Sequence, residues 1–243
     1  MPRRRQISTE EHAFLEAYDP SAFDRPSVAV DVVVLAVDAG EVHAVLVQRT
    51  EHPDRGAWAL PGTFVGIREP LEDAVRRVLR DKAGLPLDHL EQLYTFGDPD
   101  RDPRGRVISV AWLAIVRPER VRALPEGVVL ASVRVPWEGE TGGPVGAVGP
   151  DGEELPLAFD HDVVLGTAIQ RIRGKLAWTD IGFPFLPERF TLFQLRQVWE
   201  TLLARPLNKD SFRKTVLANH DLVDTGEKQS DVGHRPAALY RRR

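Results

Sequence analysis

The chain contains no cysteine, which excludes disulfides and thiolate metal sites together. Any metal would have to be held by carboxylates or histidines. Long hydrophobic runs are also missing. The most apolar segment, Val28 to Val37, is interrupted by Asp31 and falls short of the roughly 20 residues that cross a bilayer. The basic start Met1-Pro2-Arg3-Arg4-Arg5 leads into the polar run Ser8 to His12, so it does not read as a signal peptide. A soluble, cytoplasmic protein with no membrane partner is the expectation. Strong charge of either sign is absent as well, with a net charge of -4. Its distribution is uneven: from Leu186 onward 11 Lys and Arg face 7 Asp and Glu. A basic tail on an acidic body fits a polyanionic partner.

What is present suffices for a core. At 243 residues and 42% hydrophobic, the chain accommodates one large domain and one small one. Ser8 or Thr9 can cap a first helix that ends before Asp19-Pro20. Valine-rich runs at Val28–Val37 and Val42–Gln48 flank Asp38-Ala39-Gly40-Glu41, which predicts a β-hairpin. From Glu69 to Ala83, the apolar residues Leu71, Ala74, Val75, Val78, Leu79 and Ala83 form one helical stripe, and Gly84 supplies the stop. Two further strands are expected at Leu90–Phe96 and Ile108–Val116, with Val128–Val135 following them. The Gly- and Pro-rich stretch Glu138–Gly152 reads as an exposed turn or hairpin tip. A helix capped by Asp160 should run to about Trp178, with Gly182–Pro187 as a short linker. The predicted organisation is an N-terminal helix or arm over 1–26, a sensing domain over 27–183 and a DNA-binding domain over 188–243. The fold class is α/β: an α/β/α sandwich followed by a winged helix-turn-helix.

The segment Leu60-Pro61-Gly62-Thr63-Phe64-Val65-Gly66-Ile67-Arg68-Glu69, continuing through Arg77 to Gly84-Leu85, resembles the Nudix box. Thr63 takes the first Gly position, Glu69 the first Glu, and Arg77, Leu79, Gly84 and Leu85 match. In that family the helix presents glutamates to magnesium, two of them four residues apart on one face. Here those two positions hold Val78 and Lys82, with Asp81 the acid left between them. Valine offers no oxygen, and an ammonium about 4 Å from a cation is repelled by roughly 4 kcal/mol at an effective dielectric near 20. No catalytic residue, metal ligand or cofactor is therefore assigned. Val78 reads equally as a member of the apolar stripe, and Lys82 as a salt-bridge partner of Asp81 or Glu69.

The loop Gly97–Arg106 carries Arg101, Arg104 and Arg106, and guanidinium groups bind phosphates as two-pronged donors. Arg49 at a strand end could join them, with Trp58 or Phe64 to stack on a base and Glu69 completing the candidate ligand set. An Arg/Asp loop is also consistent with a self-paired surface turn, and Trp58 with a core residue.

Towards the C-terminus, Thr191 can cap a helix with Leu192, Leu195, Val198, Trp199 and Leu202 at helical spacing. Asn208 begins a second, with Leu207 and Phe212 forming a hydrophobic staple. Phe212, Val216 and Leu217 are expected to face inward, which leaves Lys209, Ser211, Arg213 and Lys214 as candidate DNA contacts. Leu222-Val223-Asp224 and Ala238-Leu239-Tyr240 bracket a β-wing whose Lys228, His234 and Arg235 could reach the phosphate backbone. A dimerisation or protein-interaction tail has the same outline. The terminal run Arg241–Arg243 is expected to be disordered.

The degenerate box, the Tyr94-Thr95-Phe96-Gly97-Asp98-Pro99 to Arg106 loop and the tail Arg235-Pro236-Ala237-Ala238-Leu239-Tyr240-Arg241 together resemble the Nudix-related transcriptional regulators of NAD metabolism, the NrtR family. The resemblance implies a homodimeric repressor of NAD synthesis or salvage genes. It would bind double-stranded, palindromic operator DNA and answer to ADP-ribose or a related NAD-derived nucleotide. An ADP-ribose pyrophosphatase is the alternative that the Nudix part implies.

Overall fold

A computed structural model describes residues 8–85, 89–230 and 236–243. One mixed sheet dominates it, in the order β5 (His89–Phe96), β6 (Val107–Ile115), β1 (Ser27–Asp38), β2 (Glu41–Gln48), β7 (Val128–Arg134) and β8 (Gly146–Val148). Two short strands, β3 (Trp58–Ala59) and β4 (Gly62–Phe64), pair with β2 and β1. β1 and β6 run parallel and the other pairs antiparallel. Ala39 and Gly40, at φ 48° and 79°, close the β1–β2 hairpin, the left-handed pair that a two-residue turn requires.

β1 lies in the middle of the sheet and is covered on both sides, which explains its almost unbroken valine run. Val33 and Leu35 face the layer of α3 (His161–Lys175). Val30, Val32, Val34 and Ala36 face α2 (Leu71–Val78) through Ala74, Val75 and Val78. Helices on both faces give the α/β/α sandwich that the box resemblance implied.

Some elements depart from the sequence reading. α1 (Thr9–Ala17) is capped by Ser8 as expected, its Oγ accepting from the Glu11 N–H at 3.1 Å. α2 starts at Leu71 and not at Glu69, since Pro70 holds an extended conformation at the cap and Glu69 is engaged by Arg77. The helix then widens into a π turn, Leu79–Ala83, before Gly84 ends it at φ 65°. α3 stops at Lys175, and Asp160 precedes it without capping because its carboxylate is bound to Arg101. The Glu138–Gly152 stretch is more than an exposed tip: it contributes β8 and buries Val145 and Ala147.

The expected linker is also packed. Asp180–Phe185 forms a 3-10 turn with Ile181, Phe183 and Phe185 buried, so apolar side chains govern a segment whose prolines suggested a spacer. It leads to α4 (Leu192–Leu203), α5 (Lys209–Asn219) and the ribbon of β9 (Leu222–Lys228) and β10 (Ala238–Arg242). Phe190 and Tyr240 exchange backbone hydrogen bonds at 3.0 and 2.8 Å and tie the ribbon to the start of α4. Arg241 and Arg242 belong to β10 and are not loose ends. Phe190, Leu195, Trp199 and Phe212 join the same apolar cluster as the sheet and α3, so one core runs under both parts. Among the described residues no helix is long and apolar enough to cross a membrane.

Candidate functional site

A cavity of about 580 Å³ opens where β1, the end of β2, β4, the β5–β6 loop and the start of α3 converge. Of the residues singled out in the sequence, Arg49, Phe64, Arg101 and Arg104 line it. Trp58 does not: it pairs with Gln48 across the sheet and packs on the apolar core, where its large ring finds more buried contact. Glu69 is also absent from the wall. Its carboxylate binds Arg77 at 2.7 and 2.8 Å and accepts the Gly66 N–H at 2.9 Å. The Arg77 guanidinium beside it holds the Glu69 carboxyl down at about 2. Arg77 continues to Thr63 Oγ1 and the Phe64 carbonyl, so this pair clasps the loop that carries β4.

The back of the cavity is a buried polar cluster of which sequence reasoning found Arg101 and missed the rest. Asp31 is 6% exposed, accepts from the Ser109 hydroxyl and lies 3.5 Å from Arg101. Arg101 grips Asp160 with two hydrogen bonds of 2.9 and 2.6 Å, so its charge is already balanced. His161 is buried, and its Nδ1 accepts the Leu60 N–H at 3.0 Å, which leaves the proton on Nε2, facing Asp31 at 3.6 Å. Burial pushes its pKa down despite the nearby carboxylates, so the ring stays neutral as a fixed brace. The visible signal was Asp31, a carboxylate inside a run of valines.

The mouth is built from stacked planar groups. Arg49 lies 4.6 Å from the Phe159 ring centre, and Arg104 lies 5.5 Å from Phe159 and 5.1 Å from Phe64. Arg104 is paired with Asp102 at 2.7 Å. Phe159 occupies the left-handed region at φ 56°, a costly conformation for an aromatic residue. The contacts on either side hold it there: the Ala158 N–H donates to the Trp58 carbonyl, and Asp160 is locked to Arg101.

The residues at the Nudix metal positions do not fit magnesium. Val78 is 1% exposed and belongs to the core between α2 and the sheet. Asp81 is paired outward with Arg80 at 2.9 Å. Lys82 pairs with neither Asp81 nor Glu69, the two partners its neighbours suggested. Its Nζ donates to the Gly62 carbonyl at 2.6 Å, in the cavity wall. Among the described residues no group of three or more His, Asp or Glu could hold a metal ion.

The C-terminal module presents a second surface. The Asn208 side chain accepts from the N–H groups of Asp210 and Ser211 and starts α5, which buries Phe212 and Val216. Phe212 meets Trp199 of α4 edge-on, with 5.3 Å between ring centres. Lys209, Ser211, Arg213 and Lys214 are exposed along the outer face, and among the described residues their side chains have no hydrogen-bond or ion-pair partner. Leu217, expected inside, is 39% exposed because α5 needs only Phe212 and Val216 to seat on α4. Lys228 is exposed at the end of β9, while His234 and Arg235 lie outside the described residues. Other cations near the wing are taken: Arg189 pairs with Glu227, and Arg242 with Asp180.

The NUDIX domain model matches residues 25–138, and the NrtR DNA-binding winged helix domain model matches residues 182–242. The chain is 31% identical over 235 residues to the ADPR responsive transcriptional repressor NtrR of Acinetobacter baylyi, covering 96% of this chain and 88% of the relative. It is 38% identical over 88 residues to an ADP-ribose pyrophosphatase of Methanocaldococcus jannaschii, spanning half of that enzyme's length. Among solved structures, Shewanella oneidensis NrtR complexed with a 27mer DNA superposes with a TM-score of 0.72 at 32% identity, over 89% of this chain and 93% of that one. The NUDIX domain of the same protein complexed with ADP ribose gives 0.53 at 31% identity, over 67% of this chain and 98% of that one.

Proposed function

The chain belongs to the NrtR family, and from that premise we propose that it is an ADP-ribose-responsive transcriptional repressor that binds DNA through its winged helix and the effector through its Nudix cavity. The observation that carries this reading is the pairing of two surfaces in one folded unit. One is a helix face of Lys209, Arg213 and Lys214, without partners among the described residues; the other is a cavity walled by Arg49, Lys82 and Arg104. Free cations on an exposed helix suit a duplex, whose phosphates dominate affinity and whose guanine edges accept from arginine. A concave site with cations and aromatic faces suits a nucleotide diphosphate.

Several finer features belong to this proposal. The protein acts as a homodimer on a palindromic operator, with its two winged helices set one or two helical turns apart. The controlled genes serve NAD synthesis or salvage. ADP-ribose binds more tightly to an arrangement whose helix spacing does not match the half-sites, and it shifts the population only by that difference in affinity. Hydrolysis is not part of the function, since an oxygen ligand is missing at both Val78 and Lys82.

Binding of the purified protein to the DNA upstream of its own gene cluster tests the proposal. Sequence-specific binding that weakens with salt and with added ADP-ribose is the expected outcome. A protein that ignores that DNA at moderate salt contradicts it. The partial match to a pyrophosphatase supports an enzyme reading, which predicts AMP release with magnesium or manganese. Turnover abolished by Glu69→Gln or Asp81→Asn would establish that reading in place of this one.

A further inference from the structure

Two cations in the cavity form no ion pair among the described residues. Arg101 is balanced by Asp160 and Arg104 by Asp102. Arg49 donates to the carbonyls of Pro53 at 2.8 Å and Glu51 at 3.3 Å and lies over the Phe159 ring. Lys82 donates one hydrogen bond, to the Gly62 carbonyl, and among the described residues no carboxylate comes within ion-pair distance of it. That carbonyl is a fixed anchor. A Cβ at Gly62 would meet Asp31 Oδ1 at 2.2 Å, so the backbone lies flat against the buried Asp31 carboxylate and cannot be displaced cheaply. Burial, then Arg49, then Arg77 push the Lys82 pKa down, against the pull of Asp31 and Glu51. An ammonium that is open to the cavity and crowded by guanidiniums gains from an anion.

Given the effector reading above, on which this rests, we propose that Lys82 is a built-in cation for the diphosphate of the nucleotide ligand, doing with a side chain what a divalent ion does at the same position in metal-dependent hydrolases. Lys82 and Arg49 offer a ligand group with two negative charges two cations that hold no ion pair among the described residues, although Asp31 and Glu51 stand in the same wall. Two Nζ protons remain free for phosphate oxygens after the bond to Gly62. An ammonium neutralises the diphosphate in the ground state, yet it cannot activate a coordinated water, so the ligand is held and not cleaved. Binding is therefore independent of divalent metal.

The test is calorimetric titration of ADP-ribose into the full chain, once in EDTA and once in magnesium, for the wild type, Lys82→Met and Lys82→Arg. Methionine keeps the length and apolar stem of the lysine, so a role in packing survives that change and a role in charge does not. The wild-type affinity is expected to agree within twofold between the two buffers. Lys82→Met should lose about 10- to 100-fold in both, the range for a charged hydrogen bond to phosphate, with an unchanged melting temperature. Lys82→Arg should recover most of the loss. Wild-type binding that requires magnesium, or Lys82→Met binding as tightly as the wild type, overturns the assignment of Lys82 and leaves the effector reading standing. A wild type that binds no ADP-ribose in either buffer overturns both.

Discussion

Glu69 is where pH acts on the cavity's supporting loop. Its folded pKa of about 2 lies below the ordinary 4.5, so the clasp with Arg77 stabilises the fold above about pH 4.5. That contribution is lost as pH falls through the folded value. Glu69→Gln is expected to melt lower than the wild type at neutral pH, with the gap closing between about pH 4.5 and 2. Thermal melts across that range measure it, and a gap independent of pH would contradict the assignment. The same residue marks a limit of reading from sequence. Box spacing pointed to Glu69 as a ligand contact, but Arg77, eight residues further on, engages it first. Trp58 was chosen for its aromatic size, while the rings at the mouth are Phe64, which the sequence also offered, and Phe159. Only tertiary contacts force Phe159 to φ 56°, and no local pattern announces them.

At the level of elements, the helix and hairpin signals were legible where a residue's own chemistry decides. Gly40 and Gly84 take the left-handed positions that end a turn and a helix, and Asn208 and Thr191 cap as their side chains dictate. Legibility failed where side chains were drawn elsewhere. Asp160 abandons a helix cap for Arg101, and the proline-containing run Asp180–Phe185 folds into the core. α4 offers a direct check on element energetics. It ends at Ala204, in the left-handed region at φ 51°, where an alanine costs about 1–2 kcal/mol that glycine avoids. Glycine also loses more chain entropy on folding, about 0.4–1 kcal/mol. Ala204→Gly is therefore expected to stabilise by roughly 0.5–1 kcal/mol, seen as a higher denaturation midpoint with the same slope.

Across the whole molecule, α3 links the cavity to α4, on which α5 packs. α3 begins at the cavity with His161 on Asp31 and the Leu60 N–H. Near its other end Arg173, 5% exposed, donates to the Leu202 carbonyl in the last turn of α4 at 2.8 Å. Movement of the cavity wall therefore has a stiff, packed route to the winged helix. On the DNA side, Arg213→Gln with Lys214→Gln is predicted to weaken operator binding and to lower the slope of log affinity against log salt by about 2, near one unit per lost phosphate contact. An unchanged slope would assign those cations elsewhere.

The most direct test of the account is fluorescence anisotropy of labelled operator DNA with the full chain, titrated with ADP-ribose in the presence of EDTA. The account predicts release of the DNA, with operator affinity falling at least tenfold as the effector saturates. By linkage, ADP-ribose affinity falls by the same factor when DNA is bound. Operator affinity that stays constant through saturation with ADP-ribose would contradict it.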